Sequence, residues 1–135
     1  MRAVLDPNVL IAALLSPRGA PAEIVTRWLA GEFELVVSDA LLRELERSLG
    51  YPKLRSRIDA DNAAEFIGVV RNNAVLASDP RDVARRSTDP GDDYLLALAE
   101  NERAVLVSGD GHLLALTAEL PIKSPREFAD ALRGS

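Results

Sequence analysis

Cysteine is absent from this chain of 135 residues, and histidine occurs once, at His112. The lack of thiols excludes disulfides, iron–sulfur clusters and zinc sites built on thiolates. It is compatible with a reducing cytoplasm, which is where we expect the protein to act. Serine–histidine–aspartate catalysis and histidine-ligated metals would all depend on His112. The acids of the chain are therefore the better place to search for chemistry.

The sequence also lacks a long apolar run and an excess of positive charge. No apolar segment approaches the roughly 20 residues that a membrane-spanning helix needs. Lys and Arg number 16 against 21 Asp and Glu, which gives a formal net charge of −5. Such a balance argues against nucleic-acid binding through bulk electrostatics. Bound cations reverse the local sign, however, so an enzyme that meets phosphates through metal ions fits this composition.

Short apolar segments of strand character alternate with helical periodicity along the chain. The predicted strands are residues 3–5, 33–37, 74–77, 104–107 and 121–123. The predicted helices are residues 9–15, 21–30, 40–49, 60–72, 92–101, 112–116 and 125–132, and residues 79–89 are expected to form a loop. This alternation is typical of a three-layer α/β/α domain with a mainly parallel sheet. Because no linker or repeat divides the chain, residues 1–135 are predicted to form a single domain.

Two acids follow predicted strands closely. Asp6 comes directly after the first strand, and only Ser108-Gly109 separates Asp110 from the strand at 104–107. Ligands of open parallel sheets bind outside the carboxyl ends of the strands, where the strand order reverses. Either acid alone is as readily a helix cap, because Asp is a preferred capping residue. Two acids at one edge of the sheet favour a functional site.

Asp92 occupies an unusual position in its predicted helix. It shares the apolar, inward-facing stripe with Leu95 and Ala99, three and seven residues further on. A carboxylate there is costly unless the helix N-terminus or, more effectively, a bound cation compensates it. Asp93 lies one step round the helix and is expected to be a solvated surface acid. Asp89 is expected to be a turn or cap residue.

The helix at 40–49 offers a further acid without identifying it. Glu44 and Glu46 lie on opposite flanks of its leucine face, and periodicity does not choose between them. Several oxygen ligands without thiols indicate a hard cation, Mg²⁺ or Mn²⁺. Such a site suits phosphodiester chemistry, since the metal lowers the pKa of the attacking water and neutralises charge on the phosphate.

Several segments follow one another in an order and spacing that form a family pattern. They are Val4 to Ile11, Ser38 to Leu49, Tyr51 to Leu54, Asp89 to Asp93 leading into Leu95, Leu96 and Ala99, Val107 to Asp110, and Ser124 to Phe128. Over essentially its whole length the chain resembles the PIN-domain ribonucleases, in particular the prokaryotic branch described as toxins of toxin–antitoxin systems. The resemblance implies a PIN-like domain with a sheet of about five strands. It also implies Mg²⁺- or Mn²⁺-dependent cleavage of single-stranded RNA, an antitoxin partner and a homodimer.

The resemblance also assigns roles to individual residues. Asp6, Glu44, Asp92 and Asp110 match the four catalytic and metal-binding acids of the family, so Glu44 rather than Glu46 is implied. Asn8 and Ser108 match polar residues that hold the site together.

Contacts with the RNA backbone require positive side chains. The sequence offers Lys53, Arg55 and Arg57 in one cluster and Arg81, Arg85 and Arg86 in another. Tyr51 and Tyr94 are the aromatic side chains nominated for base stacking.

Two positions depart from the family pattern. Pro7 stands where the family often has Thr, and His112 stands where this branch often has another acid. Pro7 removes a hydroxyl near the metal. The acid lost at His112 could weaken a second metal site, so the sequence leaves open whether one ion or two are bound. The departures also leave room for an alternative, a catalytically weakened PIN-fold module that binds RNA or a protein. An Asp6-nucleophile phosphatase is a further alternative, although Asn8 replaces the second Asp that such enzymes use.

Overall fold

The structure, a computed structural model, describes residues 1–116 and 120–134, and for His112 it describes the backbone alone. The strands are β1 (Arg2–Leu5), β2 (Glu34–Val37), β3 (Val75–Leu76), β4 (Val105–Val107) and β5 (Ile122–Lys123). The helices are α1 (Pro7–Leu15), α2 (Ala20–Leu29), α3 (Asp39–Leu49), α4 (Pro52–Arg55), α5 (Ala60–Asn73), α6 (Pro90–Asn101), α7 (Gly111–Leu114) and α8 (Pro125–Arg133). All the predicted strands and helices are observed, with bounds shifted by the one or two residues usual for element ends. The short helix α4 was not predicted.

The five strands form one sheet in the order β3-β2-β1-β4-β5. Every neighbouring pair of described strands is parallel. Val4 and Leu5 in the central strand have no exposed surface, as expected for a parallel sheet covered on both faces. The prediction of an α/β domain with a mainly parallel sheet is therefore confirmed.

Helices cover the sheet in a pattern that follows from its strand order. On one side, α1 contacts α2 and α3, α3 contacts α5, and α2 contacts α8. Helix α6 leads from β3 across to β4 and packs on β1 and β4. Because parallel crossovers are right-handed, a connection that runs in the opposite direction along the sheet lies on the opposite face. Helix α6 therefore forms the layer opposite α1, α2 and α3.

Polar residues fix where the helices begin. The side chains of Asp6, Ser38 and Asp89 each accept a hydrogen bond from a backbone N–H in the first turn of α1, α3 and α6, respectively. Each of these contacts satisfies a donor that the helix itself leaves unpaired. The first turns of these three helices border the same edge of the sheet, the edge where β1 and β4 end.

No single helix in the described part of the chain is long and apolar enough to span a membrane. Helices α1 and α2 together have the length and composition of a span, but they are bent by 100° at the break between them.

Candidate active site

The strand order reverses between β1 and β4, because β1 leads to β2 on one side while β4 lies on the other. A cavity of about 570 Å³ opens at the carboxyl ends of these strands. Its walls include the four acids predicted as metal ligands, Asp6, Glu44, Asp92 and Asp110. This is the position at which open parallel sheets bind ligands. The structure therefore brings these acids, drawn from four separate segments, to one cavity.

Asp6 lines the cavity and is only 7% exposed. One carboxylate oxygen, Oδ1, accepts a hydrogen bond from the backbone N–H of Asn8 at 3.0 Å. The other, Oδ2, accepts one from the hydroxyl of Ser108 at 3.0 Å. Burial raises the pKa of Asp6, the two hydrogen bonds partly offset that effect, and the charges of Asp110 and Glu44 raise it further. The cavity thus holds a carboxylate that is fixed in orientation and whose charge is poorly compensated.

Ser108 connects two of the acids through a single hydroxyl group. Its side chain is completely buried. While the hydroxyl donates to Asp6, its oxygen accepts a hydrogen bond from the backbone N–H of Asp110 at 3.0 Å. Ser108 therefore sets the position of Asp6 relative to the segment that carries Asp110.

Asp92 lies in the first turn of α6 and is 8% exposed. Its predicted inward-facing position is confirmed. Burial, followed by the negative charges of Asp110, Asp89 and Asp6, raises the pKa of Asp92 to about 6. A carboxylate with this pKa is mostly ionised at neutral pH, yet its charge is unfavourable in the absence of a cation.

The prediction for Asp93 was wrong. Instead of facing solvent, Asp93 is 5% exposed and accepts hydrogen bonds from the backbone N–H groups of Arg86 and Ser87 and from the Ser87 hydroxyl. These bonds, led by the one from Arg86, lower the pKa of Asp93. The loop before α6 folds back over the helix and buries this acid. Asp89 caps α6 through the N–H of Gly91, as expected.

Glu44 lines the cavity from α3, and its side chain forms an ion pair with Arg47. Both side chains are largely exposed, so this contact leaves them free to rearrange. Arg47 is the only basic residue among the described residues that line the cavity. Sequence reasoning missed it, although its spacing of three residues from Glu44 on a helix was a usable signal.

The side chains predicted to bind RNA lie elsewhere. Lys53, Arg55, Arg57, Arg85 and Arg86 are all exposed, and none of them lines the cavity. Arg86 instead pairs with Glu100 in the second half of α6. These basic residues therefore do not form the walls of the cavity.

The two tyrosines nominated for base stacking differ in position. Tyr94 lines the cavity, whereas Tyr51 is 52% exposed and lies outside it. The Tyr94 hydroxyl donates to Asp79 Oδ1 at 2.5 Å and is hydrogen-bonded to the hydroxyl of Ser38. Burial and the bond to Asp79 raise the pKa of Tyr94 to about 12. This network joins α6, the start of α3 and the loop that precedes α6, next to the acid-lined cavity.

The residues present fit a hard divalent cation in their chemistry. Their donors are carboxylate oxygens, and the mutual repulsion and burial that raise the pKa of Asp6 and Asp92 are what a cation would relieve. Among residues 1–116 and 120–134, no three Asp, Glu or His side chains already converge tightly enough to hold a metal ion. Binding would therefore require these side chains to draw together. The expectation for His112 lies outside the described side chains.

The fold and the cavity define a class of protein: a parallel α/β domain with several acids at the point where its strand order reverses. Residues 2–112 match the PIN domain family, and the chain belongs to that family. PIN domains are in general nucleases. The resemblance inferred from the sequence is therefore confirmed.

Similar proteins extend this comparison over nearly the whole chain. An uncharacterized protein from Methanocaldococcus jannaschii is 24% identical over 140 aligned positions, which cover 96% of this chain and 90% of that protein. The crystal structure of PAE2754 from Pyrobaculum aerophilum aligns with a TM-score of 0.74 at 19% identity, covering 100% of this chain and 97% of that one.

Two VapBC structures show the same fold. VapBC2 from Rickettsia felis, bound to a DNA fragment from their promoter, aligns with a TM-score of 0.64 at 12% identity, covering 92% of this chain and 98% of that one. VapBC-1 from nontypeable Haemophilus influenzae aligns with a TM-score of 0.64 at 17% identity, covering 93% and 99%. At these identities the likeness establishes the fold.

Proposed function

We propose that the protein is a Mg²⁺- or Mn²⁺-dependent endoribonuclease that cleaves single-stranded RNA as the toxin of a cytoplasmic toxin–antitoxin pair. One observation carries the proposal: Asp6, Glu44, Asp92 and Asp110 line one cavity at the switch point of the sheet. Membership of the PIN domain family supports nuclease chemistry. The acids support its dependence on metal, because an acidic cavity repels RNA unless cations occupy it.

Each acid has a defined part in this proposal. Asp6 and Asp92, which are both buried, would hold the cation, with Asp110 and Glu44 completing its ligands. When bound, the cation would activate water and neutralise charge on the scissile phosphate. The hydrogen bond from Ser108 would fix the orientation of the Asp6 carboxylate, as residues beside metal ligands commonly do. We assign Asn8 a supporting role, because its backbone N–H donates a hydrogen bond to Asp6 Oδ1.

Arg47 complements the acids as the basic side chain of the cavity wall. Its partner Glu44 is a proposed metal ligand, so cation binding would compete with the ion pair between them. An Arg released in this way can donate to a phosphate through its planar guanidinium. We propose that Arg47 contacts the RNA backbone next to the scissile bond, whereas Lys53, Arg55, Arg57, Arg85 and Arg86 contact more distant phosphates.

The antitoxin partner rests on the likeness to the two VapBC proteins. The proposed homodimer rests on the resemblance to the PIN-domain toxins. Size-exclusion chromatography of the purified chain tests the homodimer, and co-purification with a co-expressed antitoxin from the same organism tests the partner.

Incubation with labelled single-stranded RNA and Mn²⁺ tests the activity. We expect internal cleavage that EDTA abolishes and that Asp6→Asn or Asp92→Asn reduces by about 100-fold or more, as for loss of a metal ligand or catalytic group. Asp61→Asn, on the exposed first turn of α5, is the matched control and should cleave normally. Cleavage that survives both EDTA and Asp6→Asn would refute the mechanism.

Two other outcomes favour the alternatives. RNA binding without cleavage, together with no Mn²⁺ binding at millimolar concentration, would favour a non-catalytic RNA- or protein-binding module. Trapping of an aspartyl-phosphate at Asp6 would favour the phosphatase hypothesis.

A further inference from the structure

A second depression adjoins the acid-lined cavity on the other side of Asp6. Its volume is about 380 Å³. Asp6, Asn8 and Asp110 line both the cavity and the depression. These three residues therefore form the boundary shared by the two hollows, which we call the ridge, and Asn8 is its exposed member.

The walls of the depression away from the ridge carry no charge. They are formed by Val9, Ala12, Pro21, Gly109 and Pro125. Their side chains offer no charge and no polar group to a phosphate or a cation, but they suit the face of a base or a ribose. The ridge, by contrast, carries the two carboxylates through which a bound cation would meet a phosphate. The alternation of an acidic ridge and an uncharged hollow matches the alternation of phosphate and nucleoside along an RNA strand.

Two residues leave the depression accessible to a ligand. The Asn8 side chain is exposed, and its carboxamide makes no hydrogen bond to another side chain or backbone group in the described part of the chain. It can both donate to and accept from a nucleotide lying across the ridge. At Gly109, an added Cβ would meet no atom within 4 Å, so the backbone there borders open space.

We infer that the depression is a nucleotide subsite. The strand whose scissile phosphate lies at Asp6 and Asp110 crosses the ridge beside Asn8, places one nucleoside in the depression, and continues through the acid-lined cavity on the other side. This inference rests on the proposed function and deepens it. Because nucleotides are held on both sides of the scissile bond, cleavage falls within the RNA strand rather than at its terminus.

NMR spectroscopy of the full chain with Mg²⁺ tests the subsite. The probe is a single-stranded phosphorothioate oligouridylate, which resists hydrolysis. We expect two sets of amide resonances to shift on titration: those of Val9, Ala12 and Gly109 in the depression, and those of Ala40, Ser48 and Gly91 in the cavity. Uridine monophosphate, which cannot span the ridge, should not shift both sets together.

A blocking variant provides the second readout. Gly109→Leu places a side chain in open space at the depression and should weaken oligouridylate binding by about tenfold, the order of effect of losing one held base. Gly68→Leu, at a position on α5 that also has open space around it, is the matched control and should bind normally. If Gly109→Leu does not fold, the shifts in the wild-type protein still decide the question.

The outcomes separate the subsite from the proposed function. Shifts confined to the cavity set, with unchanged affinity in Gly109→Leu, would overturn the subsite and leave the ribonuclease proposal intact. Failure of the oligouridylate to bind, with neither set shifting, would overturn both.

Discussion

The hydroxyl of Ser108 donates to Asp6 Oδ2 at 3.0 Å, across 102 positions of sequence. Both residues are buried, and they follow β1 and β4, the two strands between which the sheet order reverses. This hydrogen bond therefore couples the pairing of β1 with β4 to the orientation of the Asp6 carboxylate. The geometry of the site and the stability of the fold depend on the same contact.

Replacement of Ser108 by Ala tests that coupling. The change removes the donor to Asp6 Oδ2 and the acceptor for the Asp110 N–H. We expect the free energy of unfolding to fall by about 1–3 kcal/mol, the cost of leaving a buried polar group unsatisfied. We also expect Mn²⁺ affinity to fall by about 10- to 100-fold, as for other residues that orient metal ligands. Urea denaturation and isothermal titration calorimetry measure the two effects.

Ser56→Ala is the matched control for this substitution. The Ser56 hydroxyl is exposed and donates to the carbonyl of Lys53, so its loss should change stability by less than about 0.5 kcal/mol. Unchanged Mn²⁺ affinity in the Ser108 variant would show that this hydroxyl does not orient a metal ligand.

The raised pKa of Asp92 makes the stability of the metal-free protein depend on pH. In the folded chain Asp92 keeps its proton up to about pH 6, whereas its ordinary pKa is 3.8. Between these two pH values the folded state therefore binds more protons than the unfolded state. The stabilisation that protonation of Asp92 gives the folded state is complete below about pH 4 and is lost as the pH rises through about 6. With EDTA present, Asp92→Asn should be more stable than the wild type at pH 8 by on the order of 1 kcal/mol after solvent screening, and equally stable at pH 4.

Metal binding should show the opposite trend with pH, because a cation prefers the ionised carboxylate. We expect Mn²⁺ affinity to rise between pH 5 and pH 7 in the wild type. Calorimetric titrations at these two pH values provide the measurement.

For the stability prediction, a wild-type stability that rises from pH 5 to pH 8 in EDTA, relative to Asp92→Asn, would contradict the assigned environment of Asp92.

Asp93 should behave unlike its neighbour, because its charge is stabilised by hydrogen bonds from Arg86 and Ser87. Its pKa is lowered, so the stabilisation it contributes is present above the ordinary pKa of 3.8 and is lost as the pH falls below it. Asp93→Ala should therefore lower the urea midpoint at neutral pH, while Asp61→Ala should leave it nearly unchanged. A variant as stable as the wild type would mean that the loop is held over α6 by other contacts.

If Arg47 contacts the RNA backbone, the RNA affinity of the protein should depend on salt partly through this residue. Each phosphate contact adds about 0.7 to the slope of log affinity against log salt for single strands. Arg47→Gln should lower that slope by about this amount and weaken RNA binding without a change in sequence preference. Arg43→Gln, an exposed position on the same helix, is the control. Equal slopes for the wild type and Arg47→Gln would remove Arg47 from the RNA contacts.

The contrast between Asp92 and Asp93 shows how far the sequence could predict this site. The burial of Asp92 followed from its spacing to Leu95 and Ala99, because a helix stripe depends only on local periodicity. The burial of Asp93 depends on the path of residues 77–89, which has no periodicity and whose backbone N–H groups are the donors. Periodicity describes how an element faces the core, but not which loop covers its other face.

The convergence of two of the acids was predictable from the topology of the sheet rather than from periodicity. Asp6 and Asp110 follow parallel strands, so the topology alone places them at one edge. The choice of Glu44 over Glu46 required a resemblance to a known family, and the structure supplies its position on the cavity wall. Helix α4 was missed because a single turn is too short to show a helical period.

The central claim is that Asp6, Glu44, Asp92 and Asp110 together bind a divalent cation. Crystals of the protein soaked in MnCl₂ and measured for anomalous scattering from manganese test it most directly. We predict a peak within coordination distance, roughly 2.0–2.3 Å, of carboxylate oxygens from Asp6 and at least one other of these acids, and its loss in Asp6→Asn crystals. The absence of a peak at this cavity in well-diffracting wild-type crystals, or a peak that survives in Asp6→Asn, would contradict the account.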